Sequence, residues 1–147
     1  MTQGVGHPVT FNILHNLGYV YYEQGMLEKA EETYQQALAG KILGSDHVST
    51  LDTVNNLGIT YCRQDKLREA EEMFQEALAG YEKALGSDHL LTLNTVNNLG
   101  VLYLVQGKLM EAEKMLRRAL EGSERQAEEG RGDVSEDADR EGKDTVP

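Results

Sequence analysis

The sequence has one cysteine, two prolines and no tryptophan among its 147 residues. With Cys62 alone, no disulfide can form within the chain, which is typical of a reducing compartment, so we expect a cytoplasmic protein. The prolines stand at positions 8 and 147, and no other proline interrupts a helix. No apolar run approaches the roughly 20 residues of a membrane-spanning helix, and the N-terminus does not resemble a secretory signal.

Basic residues are also scarce. The chain has 14 lysines and arginines against 25 aspartates and glutamates, and its formal net charge is -11. Nucleic acids and anionic membranes are bound by clustered Lys and Arg, so neither is expected as a partner. The length suits one domain that can bury a hydrophobic core.

The sequence repeats itself three times. The tripeptide Asn-Leu-Gly ends at Gly18, Gly58 and Gly100, at intervals of 40 and 42 residues, and a tyrosine follows each glycine three positions later. The loop sequence Leu-Gly-Ser-Asp-His occurs at 43–47 and again at 85–89. Self-similarity at such a period predicts a repeat protein.

Each repeat is predicted to be a pair of antiparallel helices, because apolar residues recur at helical spacing on both sides of a short polar connector. A glycine inside a helix costs about 1 kcal/mol relative to alanine, so the three repeated glycines predict a close approach by a facing side chain. Gly25, Gly44, Gly86 and Gly107 are expected at positive φ in the connectors, and Ser or Asp of the repeated loop is expected to cap the next helix. One pair cannot bury its apolar face alone, so the pairs should stack.

The order of these residues resembles the tetratricopeptide repeat. The three copies are Leu14, Leu17, Gly18, Tyr21, Ala30, Tyr34 and Ala37; Val54, Leu57, Gly58, Tyr61, Ala70, Phe74 and Ala77; and Val96, Leu99, Gly100, Tyr103, Ala112, Leu116 and Ala119. The 42-residue period and the Asp-His loop are similar to the longer repeats of kinesin light chains, which also occur in arrays of fungal and bacterial signalling NTPases. Two features depart from the family: its first aromatic is Leu or Val here, and its proline after the second helix is absent.

The resemblance implies an all-α, right-handed superhelical solenoid of three antiparallel helix pairs. The repeats are predicted at about 10–47, 48–89 and 90–122, after an N-terminal lead of residues 1–9. The first repeat lacks a Tyr-Glu pair after Gly40, and two missing residues would rotate the rest of a helix by roughly 200°. We therefore predict that this helix breaks near Gly40 and that the first junction between repeats differs from the second.

Residues 123–147 are predicted to form an acidic disordered tail, because they contain too few aliphatic side chains to offset the entropy of ordering. No capping helix is apparent in the sequence. The outer face of the third repeat should then be partly uncovered, which makes self-association through the uncapped ends an alternative.

A candidate binding groove lies opposite the core positions of each first helix, on what would be the concave surface. Its residues are Asn12, Asn16, Tyr19, Glu23, Asp52, Asn55, Asn56, Ile59, Arg63, Asn94, Asn97, Asn98, Val101 and Val105. Asparagine is a weak helix former, yet it recurs here, and its amide can bind a peptide backbone. The resemblance implies that Asn16, Asn56 and Asn98 carry this groove.

The same amides could instead bond to the neighbouring repeat and set the stacking register. Peptide binding and contact between repeats both stay open for Asn16, Asn56 and Asn98. For Asn55 and Asn97 we favour the contact between repeats. Arg63 is the one basic residue in the predicted groove, and the negative charges of Glu23 and Asp52 offset its positive charge. The ligand is therefore expected to be a neutral or basic peptide rather than a clamped carboxylate.

Catalytic chemistry is not indicated. His47 and His89 each follow an aspartate but lack a further ligand type, so we interpret them as loop or cap residues, and the glutamates at 31, 69, 71, 111 and 113 as a solvated face. Phosphate-loop, zinc-protease and nucleophile-elbow motifs are absent. We expect no enzyme, cofactor or metal site, but a scaffold that binds an extended peptide or partner helix. The alternative is a segment of a longer array, such as the sensor of a signalling NTPase.

Overall fold

The computed structural model describes residues 7–143, with side chains through residue 131. All regular structure within this range is helical: α1 (Pro8–Glu23), α2 (Leu27–Ala39), α3 (Val48–Arg63), α4 (Leu67–Leu85), α5 (Leu90–Val105) and α6 (Leu109–Lys143). Helices α1–α2, α3–α4 and α5–α6 pair as hairpins, and each hairpin packs on the next one. The predicted solenoid of three helix pairs is confirmed. Residues 1–6 of the predicted lead lie outside the described residues, and α1 already begins at Pro8, within that lead.

The repeated glycines lie where the two helices of each hairpin cross. A Cβ atom on Gly18 would be 2.6 Å from the Tyr34 ring, and one on Gly58 would be 2.7 Å from the Phe74 ring. At Gly100 the facing side chain is Leu116, again at 2.7 Å. Contacts this short leave no room for a side chain, so the predicted close approach is confirmed.

The core continues through the stack from one hairpin to the next. Its central cluster joins buried residues of all three hairpins: Ala30, Tyr34, Leu57, Tyr61, Ala70, Phe74, Leu99 and Leu102. Each hairpin therefore buries apolar surface that it could not bury alone, as in other stacked-repeat proteins.

Histidines cap the first helix of every hairpin. The Nδ1 atoms of His7, His47 and His89 accept a hydrogen bond from the backbone N–H two residues later, at 3.2, 3.1 and 3.1 Å. The prediction that Ser or Asp provides this cap is wrong. In the repeated loop a glycine at positive φ begins a turn, and Ser and Asp lie within that turn. The histidine that follows them occupies the extended N-cap position. His47 and His89 are thus cap residues, which is one of the two roles expected for them.

The connectors within the hairpins contain a residue in the left-handed region, as predicted for Gly25 and Gly107, at φ +77° and +78°. Gly44 and Gly86 are also confirmed at positive φ, +86° and +92°. The second hairpin places Asp65 in the same position at φ +61°, where a side chain is less favourable than glycine.

The first hairpin ends early. Helix α2 stops at Ala39 with Gly40 at its C-cap, whereas α4 continues to Leu85. The prediction of a break near Gly40 is confirmed. The two missing residues shorten α2. In the helices that follow, the same repeat positions still face the core.

The prediction of disorder from Ser123 is wrong through Lys143, because α6 continues to that residue. Arg125 binds both carboxylate oxygens of Asp88 at 2.9 Å, and the Gln126 side chain donates to the Asp88 carbonyl at 2.8 Å. Gly122 packs against Leu93. The aliphatic content of the segment could not reveal these polar attachments to the α4–α5 loop. Residues 144–147 of the predicted tail lie outside the described residues.

Two glutamates that the sequence assigned to a solvated face connect successive hairpins instead. Glu31 accepts hydrogen bonds from Gln64 at 3.1 Å and from Lys66 at 3.2 Å in the next connector. Glu71 makes the equivalent contacts one repeat later, with Gln106 and Lys108. These polar contacts recur at both junctions and help to set their register, so the interpretation as a solvated face is wrong for these two residues.

Candidate functional site

The first helices of the hairpins form the inner layer of the solenoid. Helix α3 contacts both α1 and α5, whereas α2, α4 and α6 make no such contacts with one another in residues 7–143. Because the inner layer is the more closely spaced one, the stack curves toward α1, α3 and α5. The predicted groove residues all lie on these three helices.

All fourteen predicted residues are accessible to solvent to some degree. Nine are exposed: Asn12, Asn16, Tyr19, Glu23, Arg63, Asn94, Asn97, Val101 and Val105. The other five are half-buried: Asp52, Asn55, Asn56, Ile59 and Asn98. The half-buried residues lie mainly on the central helix α3, where both neighbouring hairpins flank them.

A first cavity of about 240 Å³ lies between the first and second hairpins. Its lining residues are Tyr19, Tyr22, Glu23, Tyr34, Asn56 and Ile59. Burial raises the pKa of Tyr34 to about 12, and a hydrogen bond with Asn56 acts in the opposite direction. A hydrogen bond with Glu23, together with its negative charge, raises the pKa of Tyr19. Both hydroxyls therefore stay protonated near neutral pH, and both can donate hydrogen bonds.

A second cavity of about 250 Å³ lies between the second and third hairpins. Its lining is mostly apolar: Ile59, Cys62, Asp65, Leu67, Phe74, Asn98, Val101, Leu102 and Val105. Ile59 forms part of both cavities, so they adjoin along the inner layer. An asparagine from the predicted row lines each of them, Asn56 in the first and Asn98 in the second.

Some of the predicted amides hold the hairpins together. Asn98 Nδ2 and Thr95 Oγ1 both donate to Asn55 Oδ1 at 3.4 Å, across the junction between the second and third hairpins. At the first junction His15, which occupies the position of Asn55, bonds to Thr53 Oγ1 at 2.7 Å. The predicted role of Asn55 between repeats therefore has a contact, and Asn98 uses one N–H for the same junction.

Two charged residues of the predicted groove make contacts within the molecule. Asp52 accepts a hydrogen bond from the hydroxyl of buried Tyr81. The Arg63 guanidinium carbon lies 4.7 Å from the centre of the Tyr22 ring, and its Nη1 donates to the Tyr22 carbonyl at 3.2 Å. Asp52 thus anchors α4 to α3, and Arg63 covers one tyrosine at the edge of the first cavity.

The remaining asparagines lie apart from the two adjoining cavities. Asn94 and Asn97 line a separate hollow of about 330 Å³ at the outer end of the third hairpin. Asn12 and Asn16 are exposed on α1 and line neither adjoining cavity. The residues that the structure brings together are Tyr19, Glu23, Asn56, Ile59, Asn98, Val101 and Val105.

Sequence reasoning missed the contribution of the second helices. Tyr34 of α2 and Phe74 of α4 belong to the repeated pattern and are buried, yet each also lines one of the cavities. The signal for Tyr34 was available, because a buried tyrosine hydroxyl usually requires a partner. No comparable signal existed for Phe74 or Leu67, since helical periodicity assigns both to the interior.

The described residues contain no group of three or more His, Cys, Asp or Glu side chains placed to hold a metal ion. Burial raises the pKa of the Cys62 thiol, which lowers the fraction of reactive thiolate at neutral pH. The helices in residues 7–143 are too polar or too short to cross a lipid bilayer.

The sequence profile of the tetratricopeptide repeat family matches residues 2–42 and 49–125. The chain belongs to this family. No curated protein sequence matches it. Among solved structures, it is similar to BtubC (BKLC) from P. vanneervenii, with 27% identity and a TM-score of 0.75, over 78% of this chain and 46% of that one.

A protein from Podosopora anserina is similar as well. Its repeats are described as nearly identical, TPR-like and of the kinesin light chain type, and the match has 29% identity and a TM-score of 0.68, over 77% of this chain and 55% of that one. The chain thus spans about half the length of these structures. The neighbours confirm that the repeats resemble those of kinesin light chains.

Proposed function

We propose that the inner surface of the solenoid binds an extended peptide or a partner helix, and that the protein acts as a scaffold without catalysis. Tetratricopeptide repeats in general serve as protein-interaction modules. The observation that carries the proposal is that two cavities adjoin on the inner layer, with Ile59 common to both and an asparagine in each.

The chemistry of the two cavities suits a peptide. The amides of Asn56 and Asn98 can bond to peptide groups of any sequence, because each keeps one N–H and its carbonyl oxygen beside the bonds made with Tyr34 and Asn55. The aromatic and aliphatic walls can hold side chains that alternate along an extended ligand. Glu23 and Asp52 outnumber Arg63 along this face, which favours a neutral or basic partner over an acidic one.

A peptide array tests the proposal. The wild-type chain, Asn56→Ala and the control Gln36→Ala, which removes an exposed amide from α2, are applied to the same array. We expect Asn56→Ala to weaken binding about fivefold across bound sequences, since one hydrogen bond is worth about 1 kcal/mol, and Gln36→Ala to bind like wild type. Equal binding by all three proteins would remove Asn56 from the mechanism.

Self-association is a second candidate, favoured by the outer face of α1. Val9, Ile13, Leu17 and Val20 are 54, 58, 38 and 47% exposed. Their counterparts in α5, which include Thr95, Leu99 and Leu102, are buried because the preceding hairpin covers them. At the other end of the stack, Leu90 and Leu120 are 62 and 59% exposed. A second copy stacked end to end would cover both surfaces.

Sedimentation velocity over a range of concentrations separates the two candidates. If copies stack, the mass rises with concentration, and Ile13→Arg abolishes the rise while Met110→Arg, placed on exposed α6, preserves it. A monomer at every concentration contradicts stacking and leaves the groove proposal intact. The sensor role in a signalling NTPase and the cytoplasmic location stay predictions.

A further inference from the structure

The two adjoining cavities differ in chemistry although their volumes are nearly equal. The first cavity has three tyrosines and the carboxylate of Glu23 in its wall. In the second cavity most of the corresponding wall is aliphatic, formed by Leu67, Val101 and Leu102 among others. The repeats are therefore not equivalent on their inner face, and the two cavities suit different side chains of a ligand.

The carboxylate of Glu23 in the first cavity forms no ion pair with the described side chains. Among residues 7–131, no lysine or arginine lies within ion-pair distance of Glu23, although six other carboxylates are paired. Glu23 accepts a hydrogen bond from the Tyr19 hydroxyl, and because Glu23 is exposed at the cavity wall, its negative charge can still face a ligand.

The exposed ring of Tyr19, like the charge of Glu23, favours a cationic ligand. Elsewhere in the chain, tyrosine rings are covered by the protein's own cations: Lys29 lies 5.7 Å from the Tyr21 ring centre, and Lys66 lies 5.7 Å from that of Tyr61. In the described residues, Tyr19 has no such cation, and it stacks on Tyr22 with ring centres 6.5 Å apart. An aromatic wall beside a carboxylate is an arrangement that attracts ammonium and guanidinium groups.

We propose that the first cavity takes the side chain of a lysine or arginine from the bound peptide, with the alkyl stem between the tyrosines and the cation at Glu23. This inference rests on the proposed peptide groove and adds the residue class that the groove selects. A volume of about 240 Å³ is smaller than typical pockets for drug-sized ligands, which begin at about 300 Å³, and suits one side chain.

Removing the charge of Arg63 should change the affinities for cationic and acidic ligands in opposite directions. Its guanidinium already lies over Tyr22, so it repels a second cation and covers part of the aromatic wall. Arg63→Gln removes that charge from an exposed side chain. A cationic ligand should bind more tightly to this variant, whereas an acidic ligand should bind more weakly.

The experiment is an amide NMR titration of the full chain with named probes. The probes are the capped peptides acetyl-Ala-Ala-Xaa-Ala-Ala-amide with arginine, lysine, norleucine or glutamate at Xaa, and N-acetyl-arginine amide. We expect the arginine and lysine peptides to shift the resonances of Tyr19 and Asn56. Glu23→Gln should weaken their binding by about threefold to tenfold, while Glu32→Gln, an exposed control of equal charge change on α2, should leave it unchanged.

The outcomes separate this inference from the groove proposal. Equal shifts by all four peptides would keep the groove and overturn the cation site, as would tighter binding of the norleucine or glutamate peptide. If N-acetyl-arginine amide binds at Tyr19 as tightly as the arginine peptide, the cation site stands and the groove fails. If no probe shifts any resonance of α1 or α3, both proposals fail.

Discussion

The first and second hairpins follow the same plan as far as Gly40 and Gly80, and then they diverge. In the second hairpin, α4 continues past Gly80, and buried Tyr81 donates a hydrogen bond to Asp52. In the first hairpin the equivalent tyrosine is missing, and α2 ends at Ala39. The two-residue deletion in the first hairpin is thus absorbed by ending α2 early, while the shared crossing at Asn-Leu-Gly is retained.

The largest expected effect comes from removing what the first hairpin lacks. Tyr81→Ala should lower the free energy of unfolding by about 3–5 kcal/mol, because it leaves a cavity where a large ring is 1% exposed. Tyr81→Phe keeps the ring and loses the bond to Asp52, at a cost of about 1–2 kcal/mol. Urea unfolding measures both. Equal losses for the two variants would mean that the ring contributes nothing beyond its hydroxyl.

The shared crossing is tested by Gly58→Ala. The new Cβ would lie 2.7 Å from the Phe74 ring, so we expect the unfolding free energy to fall by about 1–3 kcal/mol despite the better helix propensity of alanine. Gly130→Ala on α6 is the control, because nothing lies within 4 Å of its Cβ position. It should be neutral or slightly stabilising. A stable Gly58→Ala variant would contradict the tight crossing.

Restoring the missing pair should make the two hairpins alike. A Tyr-Glu insertion after Gly40 is expected to extend α2, because the loop then has the length of its counterpart after Gly80. The new ring should be buried near Asn12, which stands where Asp52 stands in the second hairpin, and raise the unfolding free energy by about 1–2 kcal/mol. Circular dichroism reports the added helix. Unchanged helicity with lower stability would show that the first junction has no space for it.

His15 and its counterpart Asn55 should make the first and second junctions respond differently to pH. Burial lowers the pKa of His15 below its ordinary value of 6.5, and the charge of Asp52 acts in the opposite direction. The unfolded chain then binds the proton more readily, so stability is lost as the pH falls below about 6.5. His15→Asn installs the residue that the other hairpins use.

Thermal unfolding of wild type and His15→Asn between pH 7.5 and 5 is the measurement. The wild-type chain should lose more stability over this range than the variant does. Parallel curves would show that protonation of His15 is not linked to folding.

The smallest effect is expected in the connectors. Asp65 has φ +61°, where the first and third hairpins have glycine. Asp65→Gly should raise the unfolding free energy by about 0.5–1 kcal/mol, because glycine adopts this conformation without steric cost. Gly107→Asp is the reciprocal variant and should lose a similar amount. If neither changes the urea midpoint, the backbone strain at Asp65 is negligible.

The sequence predicted the tight crossings, but it missed the histidine caps and the contacts of Glu31 and Glu71, which also repeat, as well as the single attachment at Arg125. The tight crossings at Gly18 and Gly58 follow from a costly residue at a fixed period. The attachment of Arg125 to Asp88 has no counterpart in the other repeats, so composition alone indicated disorder. The His caps were within reach, because His7 precedes the first helix as His47 precedes the third.

The sequence predicted the residues that the first helices contribute to the candidate site, but not those that the second helices contribute. Counting positions on the first helices located Asn56, Ile59 and Asn98, because a helix presents one face at a known period. Tyr34 and Phe74 reach the same cavities from the second helices. Periodicity alone assigns both rings to the core, because it does not report what a buried ring contacts at its far edge. The Tyr34 hydroxyl, which requires a partner, was the one signal that the sequence offered.

The most direct test of the account is to locate where a peptide binds. The peptide bound most tightly on the array is titrated into the isotopically labelled chain, and amide shifts are mapped onto the helices. We predict shifts at Tyr19, Asn56 and Asn98, on the inner layer formed by α1, α3 and α5. Shifts confined to the outer side of α6, around Glu113 and Arg117, would contradict the account.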